Sequence, residues 1–273
     1  CERGSWIAQL RGWEAVLAAS FVWLQAGSSS CVLVKQGENK FVKSMADLSG
    51  HGNSASMSQR MPAFSPKAIN GHGLVEFDGA SVLKTRPFAE PLPQPITLVV
   101  VARARGDTTI VDSLGPNSNR FELCHGYPTG WHPSPEICMT ASGHDASPKH
   151  SLRGSTRGTG EWHLYTAIYD GRRSEVFVDG YCEASSKNVG SNSLDGLSIG
   201  CDHNGTFFLN GSLAELRLFR CHLPPSQRIQ LEASLARRYG LTYSIARDLP
   251  TTPRTTSRFN CAPRSSSRVS NSY

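Results

Sequence analysis

The sequence predicts an all-β chain, a two-layer antiparallel β-sandwich with one C-terminal helix. Three observations lead there. Apolar residues recur with period two through the middle of the chain. Asp-Gly turns and proline-rich links separate those segments. One stretch, Ser226–Tyr239, combines helical spacing with helical end signals.

The elements follow in order. Leu74 to Phe77 is a short strand closed by the turn Asp78-Gly79. Pro87, Pro91, Pro93 and Pro95 keep the next link extended, because proline fixes φ and has no N–H to donate. Ile96, Leu98, Val100, Ala102 and Ala104 share one face of a strand, with Arg103 and Arg105 on the other. Phe121–Cys124 and Ile137–Met139 form two strand arms around a proline-rich loop. Trp162, Leu164, Thr166 and Ile168 repeat the alternation, and Asp170-Gly171 and Asp179-Gly180 bracket a strand from Ser174 to Val178. Ala214, Leu216 and Leu218 alternate with Glu215 and Arg217. Such patterns suit sheets with one buried and one wet face. Pro224-Pro225-Ser226 then opens the helix. Ile229, Leu231, Ala233, Leu235, Ala236 and Tyr239 form its apolar face, Gln230, Ser234 and Arg237 lie opposite, and Gly240 stops it. No helical pattern separates the strands, so the architecture is a sandwich or jelly roll, not a series of βαβ units.

The length, 273 residues, accommodates one all-β domain of about 200–250 residues with flanking segments. The expected division is an N-terminal extension over 1–19, the sandwich domain over 20–244, and a Ser/Thr/Pro/Arg tail over 245–273. The tail has too little apolar surface to offset its ordering entropy and is expected to be disordered. It carries Arg247, Arg254, Arg258, Arg264 and Arg268 against Asp248, a net +4 of the chain's +6. The basic character therefore belongs mostly to the tail and gives no argument for a specific nucleic-acid partner. A solvated tail is the simpler reading, a weak contact with acidic glycans, RNA or anionic lipid the alternative. Ala15 to Leu24, the longest apolar run, contains Ser20 and falls well short of the roughly 20 residues of a membrane span.

The eight cysteines are Cys1, Cys31, Cys124, Cys138, Cys182, Cys201, Cys221 and Cys261, with no C-x-x-C among them. That number favours an extracellular or cell-surface chain with some disulfides. Cys124 with Cys138, on the two strand arms, is the first candidate pair, and Cys182 with Cys201 the second. Sequons at Asn204 and Asn210 are glycosylation candidates compatible with secretion.

The order of motifs resembles the laminin G-like jelly-roll domain of the concanavalin A-like lectin/glucanase superfamily. The stretches that carry the resemblance span about 220 residues. They are Asp47-Leu-Ser-Gly-His-Gly-Asn53, Asn70-Gly-His-Gly-Leu-Val-Glu-Phe-Asp-Gly79, Ile96-Thr-Leu-Val-Val-Val-Ala102, Trp162-His-Leu-Tyr-Thr-Ala-Ile-Tyr-Asp-Gly171, Val176-Phe-Val-Asp-Gly180, Leu197-Ser-Ile-Gly200, Asn210-Gly-Ser-Leu-Ala-Glu-Leu-Arg-Leu-Phe219 and Leu235-Ala-Arg-Arg-Tyr-Gly-Leu241. The resemblance implies a first strand at Phe21–Ala26, where Gln25 replaces the family's Asp. Residues 15–28 are read accordingly, although they also imitate a leader's apolar region. Met45-Ala46 replaces the Trp that the family places before the Asp47 turn. Asp47, Asp78, Trp162, Asp179 and Glu215 match as turn and packing positions, and no catalytic residue carries over.

The residue-level chemistry agrees. Glucanases of this superfamily place acids on a strand as E-x-D-x-x-E, but here Glu76-Phe77-Asp78 is followed by Ser81. Nucleophile elbows, zinc-protease helices and phosphate loops are absent. Cys124, His125, Cys138 and His144 make an imaginable zinc set whose spacing matches no finger or ribbon, so a disulfide is the simpler use of the cysteines. Calcium at the sandwich rim is compatible with Asp112, Asp145 and Asp202, which read more simply as turn residues. The long link 115–160 is the expected ligand site. Tyr127 and Trp131 sit among Gly and Pro on turns, where a ring can cover a sugar's apolar face, and Arg120, His125 and His132 are donors for hydroxyls. Trp131 folded back onto the core is the competing reading. The expected function is a non-catalytic module for glycan or extracellular-protein ligands. The alternatives are a glycan-cleaving hydrolase or lyase of the same fold and a structural or adhesive spacer.

Overall fold

The computed structural model describes residues 20–115, 120–126, 135–142 and 150–244. The expected extension over 1–19 and tail over 245–273 lie outside the described residues.

Two antiparallel layers enclose the main core. The first runs β5 (Ala63–Ile69), β6 (His72–Asp78), β17 (Asn210–Phe219), β8 (Ile96–Arg105), β13 (Thr159–Tyr169), β14 (Ser174–Val178) and β15 (Tyr181–Ser186), with β1 (Val22–Gln25) also beside β17. The second runs β2 (Cys31–Gln36), β3 (Asn39–Met45), β4 (Ala55–Met57), β7 (Leu83–Thr85), β16 (Ser198–Ile199), β9 (Thr108–Asp112), β10 (Glu122–His125), β11 (Glu136–Thr140) and β12 (Leu152–Arg157). β3 also pairs β5 at Phe41 and Ala63, which joins the layers along one edge. The neighbours β6, β17, β8 and β13 are remote in sequence, as expected of jelly-roll connections.

One core lies between the layers. Leu98, Val100, Leu216, Leu218, Tyr165 and Ala167 from the first layer join Leu83, Ile110, Leu123, Ile137 and Met139 from the second. A separate core lies on the outer face of the first layer, where α1 (Pro225–Tyr239) packs Leu231, Leu235, Ala236 and Tyr239 against Val99, Val101, Leu164 and Ala214. The helix ends at Gly240, whose φ of 65° is the left-handed conformation glycine adopts freely.

The helix changes the sidedness expected from alternation. β8 is buried on both faces over most of its length, because one side meets the second layer and the other meets α1. Trp162 and Leu164 point toward the helix, while Tyr165, Ala167 and Tyr169 fill the space between the layers. Glu215 and Arg217, expected on a wet face, are buried, and their ion pair closes to 2.6 Å. The Tyr239 hydroxyl donates to Glu215 Oε2 at 2.7 Å, so the helix supplies a partner to the carboxylate it covers.

The turn chemistry is as read. Asp179 and Gly180 both have positive φ, 51° and 86°, which fits the tight two-residue hairpin between β14 and β15. Asp47 accepts from the backbone N–H groups of Trp23, Ser49 and Asn53 and so ties its turn to β1.

Candidate functional site

Tyr127, Trp131, His132, His144 and Asp145 lie outside the described residues. Arg120 and His125 are described, and both are buried, at 7% and 1% exposure. Arg120 Nε stands 2.9 Å from Glu122 Oε2. His125 closes β10 with its ring inside. Nδ1 lies 3.0 Å from the Pro135 carbonyl, which only accepts, so Nδ1 carries the proton and Nε2 accepts from the Tyr165 hydroxyl at 2.9 Å. Burial pushes the imidazole down to about 4. Both ring nitrogens of His125 are therefore engaged. β10 pairs on both sides, with β9 and β11, which encloses the polar residues of this link.

The carboxylates nearby are equally enclosed. Glu122 accepts from Thr109 Oγ1 at 2.7 Å, and burial, reinforced by the charge of Asp112, pushes it up to about 7. Asp112 Oδ1 accepts from the N–H groups of Ser113 and Phe121, both at 2.8 Å. Its Oδ2 takes the His203 N–H at 2.9 Å and faces His203 Nδ1 at 3.0 Å. That bond to Asp112 holds the His203 imidazole above its usual range. Asp202 accepts from the N–H and hydroxyl of Thr206. Asp112 and Asp202, the described calcium candidates, thus anchor loops. Among the described residues no group of three or more His, Cys, Asp or Glu converges as a metal site. Glu122 and Asp112 are each 0% exposed, so neither reaches a glycosidic oxygen outside.

Cys124 and Cys138 are direct cross-strand partners on β10 and β11, buried against each other. Both are free thiols, and the hydrogen bond with Cys138, together with burial, raises the Cys124 thiol. The expected bridge is therefore not formed here. Directly opposite Cβ atoms stand about 4.5–5.5 Å apart, wider than the roughly 3.8 Å of a disulfide, so bridging requires the strands to pinch. Cys201 is a buried free thiol. Cys182 lies on β15 of the first layer and Cys201 follows β16 of the second, with its Sγ 3.2 Å from Ser198 Oγ.

An accessible polar site lies elsewhere. The β1–β2 turn, the β5–β6 hairpin and the end of α1 surround a cavity of about 380 Å³, near the small end of ligand pockets of about 300–1,000 Å³. Gln25, Ser28 and Ser29 form one wall, Phe64, Pro66 and Lys67 another, and His72 and Arg238 complete it. Local sequence explains its shape. Gly73 has no side chain where a Cβ would sit 3.1 Å from both the Ala26 carbonyl oxygen and the Phe64 ring. Ser30 turns inward and donates to the Gln25 carbonyl at 2.6 Å, which leaves Ser28 and Ser29 outermost. His72 packs edge-on against Tyr239, with ring centroids 5.3 Å apart. In the sequence, Gly71-His72-Gly73 stands out only as part of a stretch that carries the family resemblance. A glycine-flanked histidine next to a serine-rich turn was the available signal, but nothing in the sequence joined it to Arg238.

Residues 97–227 match the family model described as the concanavalin A-like lectin/glucanases superfamily, of laminin G type. No curated protein is detectably similar in sequence. Solved structures share the fold at low identity. Domain 4 of AbnA, a GH43 extracellular arabinanase from Geobacillus stearothermophilus solved with arabinotriose, is 14% identical with a TM-score of 0.56, over 78% of this chain and 98% of that one. The botulinum neurotoxin serotype D ligand-binding domain, solved with N-acetylneuraminic acid, is 11% identical with a TM-score of 0.54, over 84% of this chain and 56% of that one. The serotype G binding domain is 12% identical with a TM-score of 0.54, over 80% and 51%. The chain thus spans about half the length of these toxin domains. At such identities the likeness establishes the jelly roll alone.

Proposed function

The chain forms a laminin G-like jelly roll of the concanavalin A-like lectin/glucanase superfamily, and from that fold we propose a non-catalytic, extracellular binding module that recognises glycans through loops and turns of the sandwich. The observation that carries this reading is the contrast between sealed acids and an open polar cavity. Glu122 and Asp112 are fully enclosed and bonded to protein donors, whereas the hydroxyl-, imidazole- and guanidinium-lined cavity opens between exposed Ser28, Ser29 and Lys67. Hydrolysis of a glycoside needs two carboxyl groups flanking the bond to be cut, about 5–9 Å apart and in contact with it. Binding needs only a preformed surface with hydrogen-bond donors and an apolar wall.

The same reading includes the 115–160 link, with Tyr127, Trp131 and His132 as its recognition residues. An extracellular location fits exposed Asn204 and Asn210, and among the described residues no helix is long and apolar enough to cross a membrane. An extracellular protein is the competing ligand class.

The test is a glycan array run with calcium and with a chelator. Retention of a defined set of glycans is the expected outcome, and loss under chelation would assign calcium a part in it. Absence of retention in both conditions would overturn the glycan reading in favour of a protein ligand or a spacer.

A further inference from the structure

We propose that the cavity between the β1–β2 turn and the β5–β6 hairpin binds the anionic group of an acidic glycan, a carboxylate or a sulfate. The inference rests on the glycan-binding reading and names the ligand class for this site.

Charge is the first argument. Lys67 and Arg238 bring two cations to the lining, His72 adds a ring nitrogen, and no Asp or Glu lines the cavity. Of the carboxylates on the adjoining strands, Glu215 is buried and paired with Arg217, and Glu76, which accepts from Ser65 Oγ at 2.7 Å, stands outside the lining. A neutral sugar gains nothing from this excess of positive charge, whereas an anion does.

An unspent donor is the second. Arg238 Nε is buried and has no hydrogen-bond partner among the described residues. A buried guanidinium N–H without an acceptor is costly. Carboxylate and sulfate oxygens match the planar fork of arginine.

Backbone conformation is the third. Lys67 and Asn70, neither a glycine, have φ of 54° and 43° in the β5–β6 hairpin. Residues held in this sparsely populated region cluster at ligand sites. The Asn70 side-chain amide donates to the Arg238 carbonyl at 2.8 Å, so the strained hairpin and the end of α1 are fastened together at the cavity. Phe64, Pro66 and Leu48 offer apolar surface for a sugar face, and Ser28 and Ser29 offer hydroxyls.

The experiment is titration calorimetry of the full chain with trigalacturonic acid against its methyl ester, and with 6-sulfated lactose against lactose, at 20 and 200 mM salt. Wild type, Lys67→Gly and Arg238→Gln are compared, with melting temperature recorded for each. Glycine suits φ of 54°, so Lys67→Gly removes the charge without straining the hairpin. At least one anionic sugar should bind ten-fold or more tightly than its neutral counterpart, more weakly at high salt. Both variants should lose ten-fold or more at unchanged melting temperature; if Arg238→Gln lowers the melting temperature, Lys67→Gly decides. The acid and sulfate arms identify the preferred anion. Equal binding of ester and acid, and of lactose and its sulfate, would overturn the proposal, as would anion binding untouched by Lys67→Gly. If neutral glycans bind all three proteins alike, glycan recognition stands and this site falls. If no sugar on the array or in the titrations binds, both fall.

Discussion

Replacing Glu122 by glutamine is expected to unmask an acid sensitivity that the wild-type chain conceals. Glu122 is held up to about 7 against an ordinary 4.5, chiefly by burial. The folded chain therefore keeps a proton that the unfolded chain releases. Stability from this group is fully present below about 4.5 and is lost as pH rises through about 7. His125 runs the other way. It is held down to about 4 against 6.5, so the unfolded chain takes up the proton first, and stability is lost as pH falls from 6.5 through 4. Each gap is about 2.5 pH units, and at about 1.4 kcal/mol per unit each is worth roughly 3 kcal/mol over its whole range. Between pH 7 and pH 5 each contribution changes by roughly 2 kcal/mol, with opposite sign. The two oppose each other in the wild type. Urea unfolding at pH 7 and pH 5 measures the sum. Relative to wild type, Glu122→Gln should lose about 2 kcal/mol on acidification, and His125→Asn should gain about as much. If the wild type and both variants change in parallel, Glu122 and His125 do not titrate as enclosed groups, and the reasoning that seals them from ligands fails.

Three further outcomes are expected. Gly211→Ala should destabilise by about 2 kcal/mol or more in thermal or urea unfolding, because its Cβ would sit 2.0 Å from the Arg103 carbonyl oxygen on the paired strand. Trp131→Ala should abolish glycan retention at unchanged melting temperature if the 115–160 link is a recognition platform; a large fall in melting temperature with binding intact would make Trp131 a core cap. Cys124 and Cys138, adjacent and unbridged, are expected to oxidise on export, adding about 3 kcal/mol by the loop-entropy estimate. Non-reducing peptide mapping of the exported chain should recover the linked peptides, and two free thiols would argue for a reducing compartment.

The fold was legible because period-two patterns and turn residues act locally. Ser174–Val178 between two Asp-Gly pairs is β14 between tight turns, and the helix stops at the glycine that the sequence marks. Sidedness was less legible. Whether Trp162 or Tyr165 faces the inter-layer core depends on the helix, which arrives some 60 residues later in the chain and makes a second apolar environment on the sheet's outer face. Glu215 and Arg217 show the same limit: their charge says surface, and their mutual pairing with Tyr239 under α1 allows burial. The candidate site was harder still. Arg120 and His125 are polar residues on a link, and only the two-sided pairing of β10 turns them inward. The cavity near Lys67 joins segments more than 160 residues apart, because Arg238 reaches it through the docking of α1, a tertiary event with no periodic trace.

The central claim is that this jelly roll binds glycans without cutting them. The most direct measurement immobilises the full chain, applies the glycans it retains, and follows both retention and product masses over a day. The account expects elution of intact glycans, with Glu122→Gln and wild type retaining the same set. Shortened products from the wild type that vanish with Glu122→Gln would contradict it, since a sealed carboxyl group would then have performed chemistry.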